Sequence, residues 1–192
     1  MPLKALVKVS KVSNLSDARY SAGMGVEMLG FRVISGQEYY MPPEHFQDIR
    51  GWVSGPKIVA ELYGVTTHDE IDFVMQTYAP DYFELSYTEY KTFQASLHLP
   101  CIVSVPLTDM RTTIITEDEG KVSYLLADEQ TTCSDLPVKY SALIKISSLE
   151  TLQEKLSANC FRGFVLEASA ETRPGITNYD DLGEILEALD QD

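Results

Sequence analysis

The sequence predicts an α/β fold in which eight parallel strands alternate with helices and close into a (β/α)8 barrel. Short apolar, β-branched segments typical of buried strands alternate with longer segments whose apolar residues recur every three to four positions, as in amphipathic helices. Strands joined through helices form a parallel sheet with right-handed crossovers. The 192 residues correspond to one domain, residues 1–192. Because a complete barrel usually needs about 200–250 residues, we expect some units to be shortened.

The opening of the chain contains the first β-α-β unit. An apolar strand at 3–10 is followed by a helix that Ser13 or Asn14 can cap, and a second buried strand follows at 26–33. The next units repeat this pattern, with a helix entered at Pro42-Pro43 and another beginning at Thr67 or His68. The strands predicted in this part of the chain lie at 57–64, 81–87 and 100–106.

The regular pattern breaks after the fifth strand. Thr112 to Thr116 is a β-branched run, a turn-like acidic stretch follows, and 122–127 is again strand-like. This predicts a hairpin near residues 112–127 in place of the fifth helix, with its second arm as the sixth strand. The segment 129–137 is too short for a full sixth helix. The exposed barrel flank would be covered either by this hairpin or by a second subunit in a homodimer.

The last units return to the alternating pattern. Strands are predicted at 138–147 and 161–169, and the helix between them can be capped by Ser147 or Ser148. A terminal helix with a stripe of leucine and isoleucine closes the chain at 178–189.

Amino-acid composition limits which classes of binding partner and which cellular compartment the sequence predicts. A net charge of −14 excludes nucleic acid and anionic membranes, because their phosphates would be repelled. Cys101, Cys133 and Cys160 are widely spaced and odd in number, which predicts free thiols and a cytoplasmic location. No signal peptide, membrane span or metal-binding spacing is recognised, so we expect neither metal nor cofactor.

Both ends of the chain resemble the phosphoribosylanthranilate isomerase family. The residues that match its first unit and the segment after its last strand are Lys8-Val9-Ser10-Lys11, Asp17-Ala18, Leu29-Gly30-Phe31, Glu171, Pro174 and Gly175. The resemblance implies an aldolase-type TIM barrel with helices five and six reduced. It also implies an Amadori rearrangement in tryptophan biosynthesis, which needs a general base, a general acid and a phosphate clamp at the carboxyl ends of the strands.

The two catalytic positions that the resemblance implies are both replaced. Ser10 stands where the family has a cysteine base, and a serine hydroxyl needs another group to take its proton. The aligned position of the family's aspartic acid is Ala127. Asp128 could serve only if the strand slips by one residue or contains a bulge. His45, His68 and His98 fall on helices or helix edges, where we expect them at the surface.

The positions expected to contact a ligand are also altered. Serines stand where the family has glycine-rich phosphate-binding turns, Glu167 brings a repelling carboxylate, and Glu38 lies near the position of a family arginine. By strand alternation Lys8 shares a face with Ser10, and an inward Lys8 would pair with Glu84 or Glu167. The candidate ligand-binding residues are Lys8, Glu84, Ser86, Ser147, Ser148, Glu167 and Ser169.

The sequence therefore predicts a divergent barrel of this family in which the isomerase activity is weak or lost. One alternative is a pseudoenzyme that binds a small phosphorylated or polar metabolite, or a partner, without catalysis. The other is an enzyme of changed chemistry in which dispersed carboxylates such as Glu84 transfer protons.

Overall fold

Eight parallel strands form a closed barrel. The computed structural model describes residues 3–110, 121–137, 139–168, 171–173, 176–177 and 179–190. The strands are β1 (Leu6–Ser10), β2 (Met28–Arg32), β3 (Lys57–Glu61), β4 (Tyr82–Ser86), β5 (Cys101–Ser104), β6 (Val122–Ala127), β7 (Ala142–Lys145) and β8 (Gly163–Glu167). Each strand pairs with the next, and β8 pairs with β1 with Leu6 opposite Gly163. The predicted (β/α)8 barrel is confirmed.

Helices lie between the strands, and several begin where the sequence predicts. They are α1 (Leu15–Gly23), α2 (Pro43–Trp52), α3 (His68–Tyr78), α4 (Tyr87–Phe93), α5 (Leu107–Met110), α6 (Leu149–Ala158) and α7 (Asp180–Leu189). The side chains of Asn14, Thr67 and Ser148 each accept a hydrogen bond from a backbone amide in the first helical turn. Such caps satisfy amides that have no partner within the helix.

Among the described residues, which leave out 111–120, the fifth and sixth units contain only short helical segments, in line with the reduction predicted for them. Helix α5 has 4 residues, and a 3-10 turn at Cys133–Asp135 stands in place of a sixth helix. The second arm of the predicted hairpin is β6, whereas its first arm, 112–116, lies outside the described residues. A short antiparallel pair, β9 (Glu171–Arg173) and β10 (Ile176–Thr177), follows β8 and was not predicted.

The prediction of free thiols is wrong for two of the three cysteines. Cys133 and Cys160 form a disulfide across a separation of 27 residues, with their Cα atoms 5.8 Å apart. Cys133 lies in the 3-10 turn after β6 and Cys160 in the loop after α6. These segments are distant in sequence but adjacent in the fold, which the spacing of the cysteines along the chain does not reveal. Cys101 is a free, buried thiol, and burial raises its pKa to about 12.

The core has two layers, and the inner one decides where a ligand can enter. An outer layer fills the space between strands and helices. Inside the barrel, inward side chains form a second apolar cluster of Leu6, Met28, Val59, Ile102, Leu126, Leu143 and Val165. Inward residues nearer the carboxyl ends of the strands lie above this apolar plug, and most of them are polar. In the described part of the chain no helix is long and apolar enough to cross a membrane.

Candidate functional site

A cavity of about 680 Å³ opens at the carboxyl ends of the strands. Strand alternation places every second residue of each strand toward it, above the apolar plug. Uncharged polar side chains such as Ser10, Tyr63 and Ser104 contribute to its lining. The charged residues that line it are Lys11, Arg32, Glu61, Glu84, Asp128, Glu129, Lys145, Glu167 and Asp181.

Lys8 is completely buried and is not itself among the residues that line the cavity, but it contacts three residues that are. Its Nζ lies 2.6 Å from Glu61 Oε1 and 2.9 Å from Glu84 Oε2, and it donates a hydrogen bond to Ser10 Oγ. Glu61 and Glu84 lie opposite one another on β3 and β4, so one ammonium can reach both carboxylates. The predicted pair of Lys8 with Glu84 is confirmed. We call Lys8, Ser10, Glu61, Tyr63 and Glu84 the floor cluster.

Gly30 makes room for this contact. It lies on β2, between the strands that carry Lys8 and Glu61. A Cβ atom at Gly30 would lie 2.2 Å from Glu61 Oε1 and 2.6 Å from Lys8 Nζ, which is too close for either atom. The missing side chain therefore lets the ammonium of Lys8 cross over β2 to Glu61.

The two floor carboxyls have opposite pKa shifts. Burial raises the pKa of Glu61, but Lys8 and the guanidinium of Arg32, whose Nε lies 3.0 Å from Glu61 Oε2, outweigh it and lower the pKa. Burial dominates at Glu84, and the nearby Glu61 adds to it, so the pKa of Glu84 is raised despite Lys8. Tyr63 donates a hydrogen bond of 2.9 Å to Glu84 Oε1. Glu61 is therefore the fixed anion, and Glu84 is the carboxyl that protonates more readily.

Ser10 is buried at the floor, but its neighbours do not make it a base. Burial lowers the pKa of Lys8, but the carboxylates of Glu61 and Glu84 outweigh burial, so the net pKa is raised. Lys8 is therefore an ammonium group and has no lone pair with which to accept a proton. The Ser10 hydroxyl also hydrogen-bonds Glu61, whose lowered pKa makes it a weak proton acceptor. Among the described residues that line the cavity there is no histidine, and His45, His68 and His98 are exposed as predicted.

Asp128 reaches the cavity, whereas Ala127 points into the outer core. The β5–β6 register shifts, because Cys101 lies opposite Val122 but Ile102 lies opposite Tyr124. This is a bulge in β6, which was one of the two conditions under which Asp128 could serve at the mouth. Asp128 Oδ1 lies 3.0 Å from Lys145 Nζ, so its carboxylate is already paired.

The turn after β7 is occupied by a carboxylate of the protein itself. The Ser147 amide and hydroxyl donate to Glu129 Oε1 at 3.0 Å and 2.8 Å, and the hydroxyl also lies 3.0 Å from Oε2. Burial raises the pKa of Glu129, but hydrogen bonds from Ser147 and Thr151 and the charge of Lys155 lower it overall. An anionic group therefore already sits at the predicted phosphate clamp.

Of the remaining described residues predicted to bind a ligand, only one lines the cavity. Glu167 lines the cavity and pairs with Lys11 at 2.7 Å rather than with Lys8. Ser86 caps α4 and Ser148 caps α6, and neither is among the residues that line the cavity. Glu38 is exposed and also lies off the cavity lining, while Ser169 lies outside the described residues.

The cations of the cavity mouth were not predicted from the sequence. Carboxylates were expected in place of cationic groups, but Arg32, Lys11 and Lys145 line the cavity, each paired with a carboxylate. Alternation could have found two of them. Met28, Gly30 and Arg32 share one face of β2, and Lys145 shares a face with Leu143 on β7. We call Lys11–Glu167, Asp128–Lys145 and Glu129–Ser147 the rim pairs.

The charged side chains of the cavity are not arranged like the ligands of a metal ion. Within the described ranges, no group of three His, Cys, Asp or Glu side chains is placed to hold a metal ion. The floor carboxylates face Lys8 and Arg32, whose positive charges oppose a divalent cation.

Comparison with known proteins identifies the fold. No protein-family model and no curated protein matches the chain. Its structure is similar to phosphoribosyl anthranilate isomerase from Thermus thermophilus, with a TM-score of 0.78, 18% identity and coverage of 96% of this chain and 98% of that one. TrpF from Jonesia denitrificans gives a TM-score of 0.75, 13% identity and 96% coverage of both chains. The isomerase from Pyrococcus furiosus gives 0.73, 12% identity and coverage of 95% and 97%. At these identities the likeness shows the shared barrel fold.

Proposed function

We propose that this barrel is a divergent relative of phosphoribosylanthranilate isomerase that has kept a metabolite-binding cavity and in which the isomerase activity is weak or lost. The main support for this proposal is the pair of hydrogen-bond partners around the Ser10 hydroxyl. Its hydroxyl lies between the Lys8 ammonium and the Glu61 carboxylate, and neither is a good proton acceptor. A general base contributes about 10²–10⁴ in rate, so its loss alone would make turnover slow.

The test is the isomerase reaction on phosphoribosylanthranilate, measured for the parent, Ser10→Cys and Ser104→Cys. Ser104 also lines the cavity, so its variant controls for adding a thiol there. We expect the parent to be slower by at least about 10² than the ordinary range of about 1–10³ s⁻¹. If only Ser10→Cys gains activity, the missing base is the main defect. A parent that turns over at an ordinary rate would overturn the proposal.

A second candidate function is proton transfer by the floor carboxyls, with Glu84 as acid and a ligand carbonyl or hydroxyl as its partner. It is favoured by the contrast between Glu61, whose pKa is lowered, and Glu84, whose pKa is raised. Carboxyls whose pKa values are pushed apart in this way serve distinct acid and base roles in known enzymes. Carboxyl ¹³C spectra across pH, with Glu84→Gln to assign the signal, measure this difference. Equal midpoints for both groups would remove this candidate.

Purely non-catalytic binding is the third candidate. The supporting feature is that both catalytic positions are held in internal contacts, Ser10 by Lys8 and Asp128 by Lys145. Under this candidate, a ligand raises the melting temperature of the parent and of Asp128→Asn alike, with no turnover in either.

The compartment and the oligomeric state are also proposals. The cytoplasm was predicted from free thiols, whereas a disulfide such as Cys133–Cys160 is typical of oxidising compartments. Alkylation of thiols in intact cells, followed by mass spectrometry of Cys133, distinguishes the two. A homodimer covering the reduced α5 flank is tested by sedimentation of the purified chain.

A further inference from the structure

The segment just after β6 contains a carboxylate in an unusual position. Glu129 follows Asp128 at the cavity mouth and reaches across to the start of α6, where both of its oxygens contact Ser147. A backbone amide and a hydroxyl that converge next to a helix N-terminus form a site that anions favour. In this protein the bound anion is a side chain of the chain itself.

Further interactions support the contact between Glu129 and Ser147. The Thr151 side chain also hydrogen-bonds Glu129, and Lys155 adds favourable charge, so the pKa of Glu129 is lowered and the group is ionised near neutral pH. Lys155 is itself buried and donates to the Thr131 carbonyl two residues beyond Glu129. These contacts hold the segment 129–131 against α6.

The charges around the cavity give a phosphate group no replacement site. Among the described lining residues the cations are Lys11, Arg32 and Lys145, and each is already paired with a carboxylate. The lining carboxylates outnumber these cations, and Glu129 and Glu167 both lie at the mouth. A phosphate monoester would have to displace Glu129 and then remain near its negative charge.

We propose that Glu129 is a specificity-determining residue, an internal anion that occupies the Ser147 amide and hydroxyl and restricts the cavity to hydroxylated ligands without a phosphate group. The inference rests on the proposed function, because it assumes that the cavity binds a metabolite. It names the substrate class as a small polyhydroxylated compound, neutral or carrying an amine. Serine, tyrosine and carboxylate side chains around the cavity supply donors and acceptors for such hydroxyls.

The experiment is calorimetric titration of inorganic phosphate into the parent, Glu129→Ala, Glu129→Gln and Glu150→Ala. Glu150 is the matched control, because it is an exposed acid in the first turn of the same helix. We expect Glu129→Ala to bind phosphate at least about tenfold more tightly than the parent, which corresponds to 1.4 kcal/mol. Glu129→Gln should gain less because its amide oxygen still fills the position, and Glu150→Ala should resemble the parent. Urea unfolding of each variant checks that it folds.

Three outcomes would overturn the inference: a parent that binds phosphate as tightly as Glu129→Ala, equal gains in Glu129→Ala and Glu150→Ala, or no gain in a folded Glu129→Ala. All of them are independent of turnover. The isomerase assay can therefore fail to support the proposed function while the phosphate titration still supports this inference, and the reverse also holds.

Discussion

The floor cluster and the rim pairs contain the same kinds of charged groups at similar distances, yet they differ in exposure. Lys8 and Glu61 lie 2.6 Å apart with side chains 0% and 1% exposed, whereas Lys145 and Asp128 lie 3.0 Å apart and are 44% and 43% exposed. Ion pairs exposed to water contribute little to stability, while breaking a buried pair leaves an uncompensated charge. The buried floor cluster therefore contributes more to the stability of the barrel than the exposed ion pairs of the rim.

Removing the floor cation should have the largest effect. Lys8→Met leaves Glu61 and Glu84 facing each other in a buried space, and we expect a loss of about 3–5 kcal/mol in the free energy of unfolding. Lys145→Met at the rim should cost less than about 1 kcal/mol. Urea denaturation of both variants measures the contrast. Equal losses would show that exposure does not separate the two regions.

Removing the disulfide should have the next largest effect. It closes a loop of 27 residues that carries the rim residue Lys145, and the Asp128 and Glu129 side chains lie just before it. Cys133→Ser should lower the free energy of unfolding by about 2–4 kcal/mol, since the unfolded chain is no longer constrained. The unreduced, denatured parent should show a single reactive thiol, that of Cys101. A count of three thiols would show that the bond is not formed.

Filling the gap at Gly30 tests the floor through its packing. Gly30→Ala places a methyl group against Glu61 Oε1 and Lys8 Nζ, and we expect a cost of about 1–3 kcal/mol. Gly51→Ala is the control, since no atom lies within 4 Å of its added Cβ and it lies within α2. That variant should be neutral or stabilised by about 0.5–1 kcal/mol. Thermal unfolding compares them, and a harmless Gly30→Ala would mean that the floor contacts are loose.

The pH dependence of the two floor carboxyls should give the smallest effect. The lowered pKa of Glu61 adds stability above the carboxyl pKa of the unfolded chain, and this stability is lost as pH falls through the folded pKa. The raised pKa of Glu84 works the other way: its contribution is present at acid pH and is lost as pH rises through its folded pKa. At neutral pH Glu61→Gln should therefore cost more stability than Glu84→Gln. Unfolding of both variants across the acid range measures this, and a larger cost for Glu84→Gln would reverse the assignment.

Much of the fold could be predicted from local sequence because its signals are local. The caps at Asn14, Thr67 and Ser148 depend on one side chain and the amides next to it, so they were predicted to within one residue. Alternation along β1 and β4 predicted that Lys8 could meet Glu84, because side-chain direction in a strand repeats every two residues. Resemblance at both chain ends then implied a closed barrel.

The candidate site was predicted less well because its contacts join segments that are distant in sequence. Glu129 and Ser147 are 18 residues apart, and Cys133 and Cys160 are 27 residues apart. The position of Asp128 depends on a bulge between β5 and β6. None of these features has a local signature. Arg32 was not predicted because it is the last residue of β2, whereas the cation implied by the resemblance lies in the loop after that strand.

The sequence by itself determined the order of strands and helices, the reduced units near α5 and the shared face of Lys8 and Ser10 on β1, since these follow from periodicity and capping. Tertiary structure alone decided which charges meet. Closing the barrel places Lys8 between Glu61 and Glu84, and the gap at Gly30 lets it reach Glu61. Burial raises the pKa of both carboxyls alike, and the neighbouring charges then separate them, because Arg32 adds a positive charge beside Glu61 whereas Glu61 adds a negative charge beside Glu84.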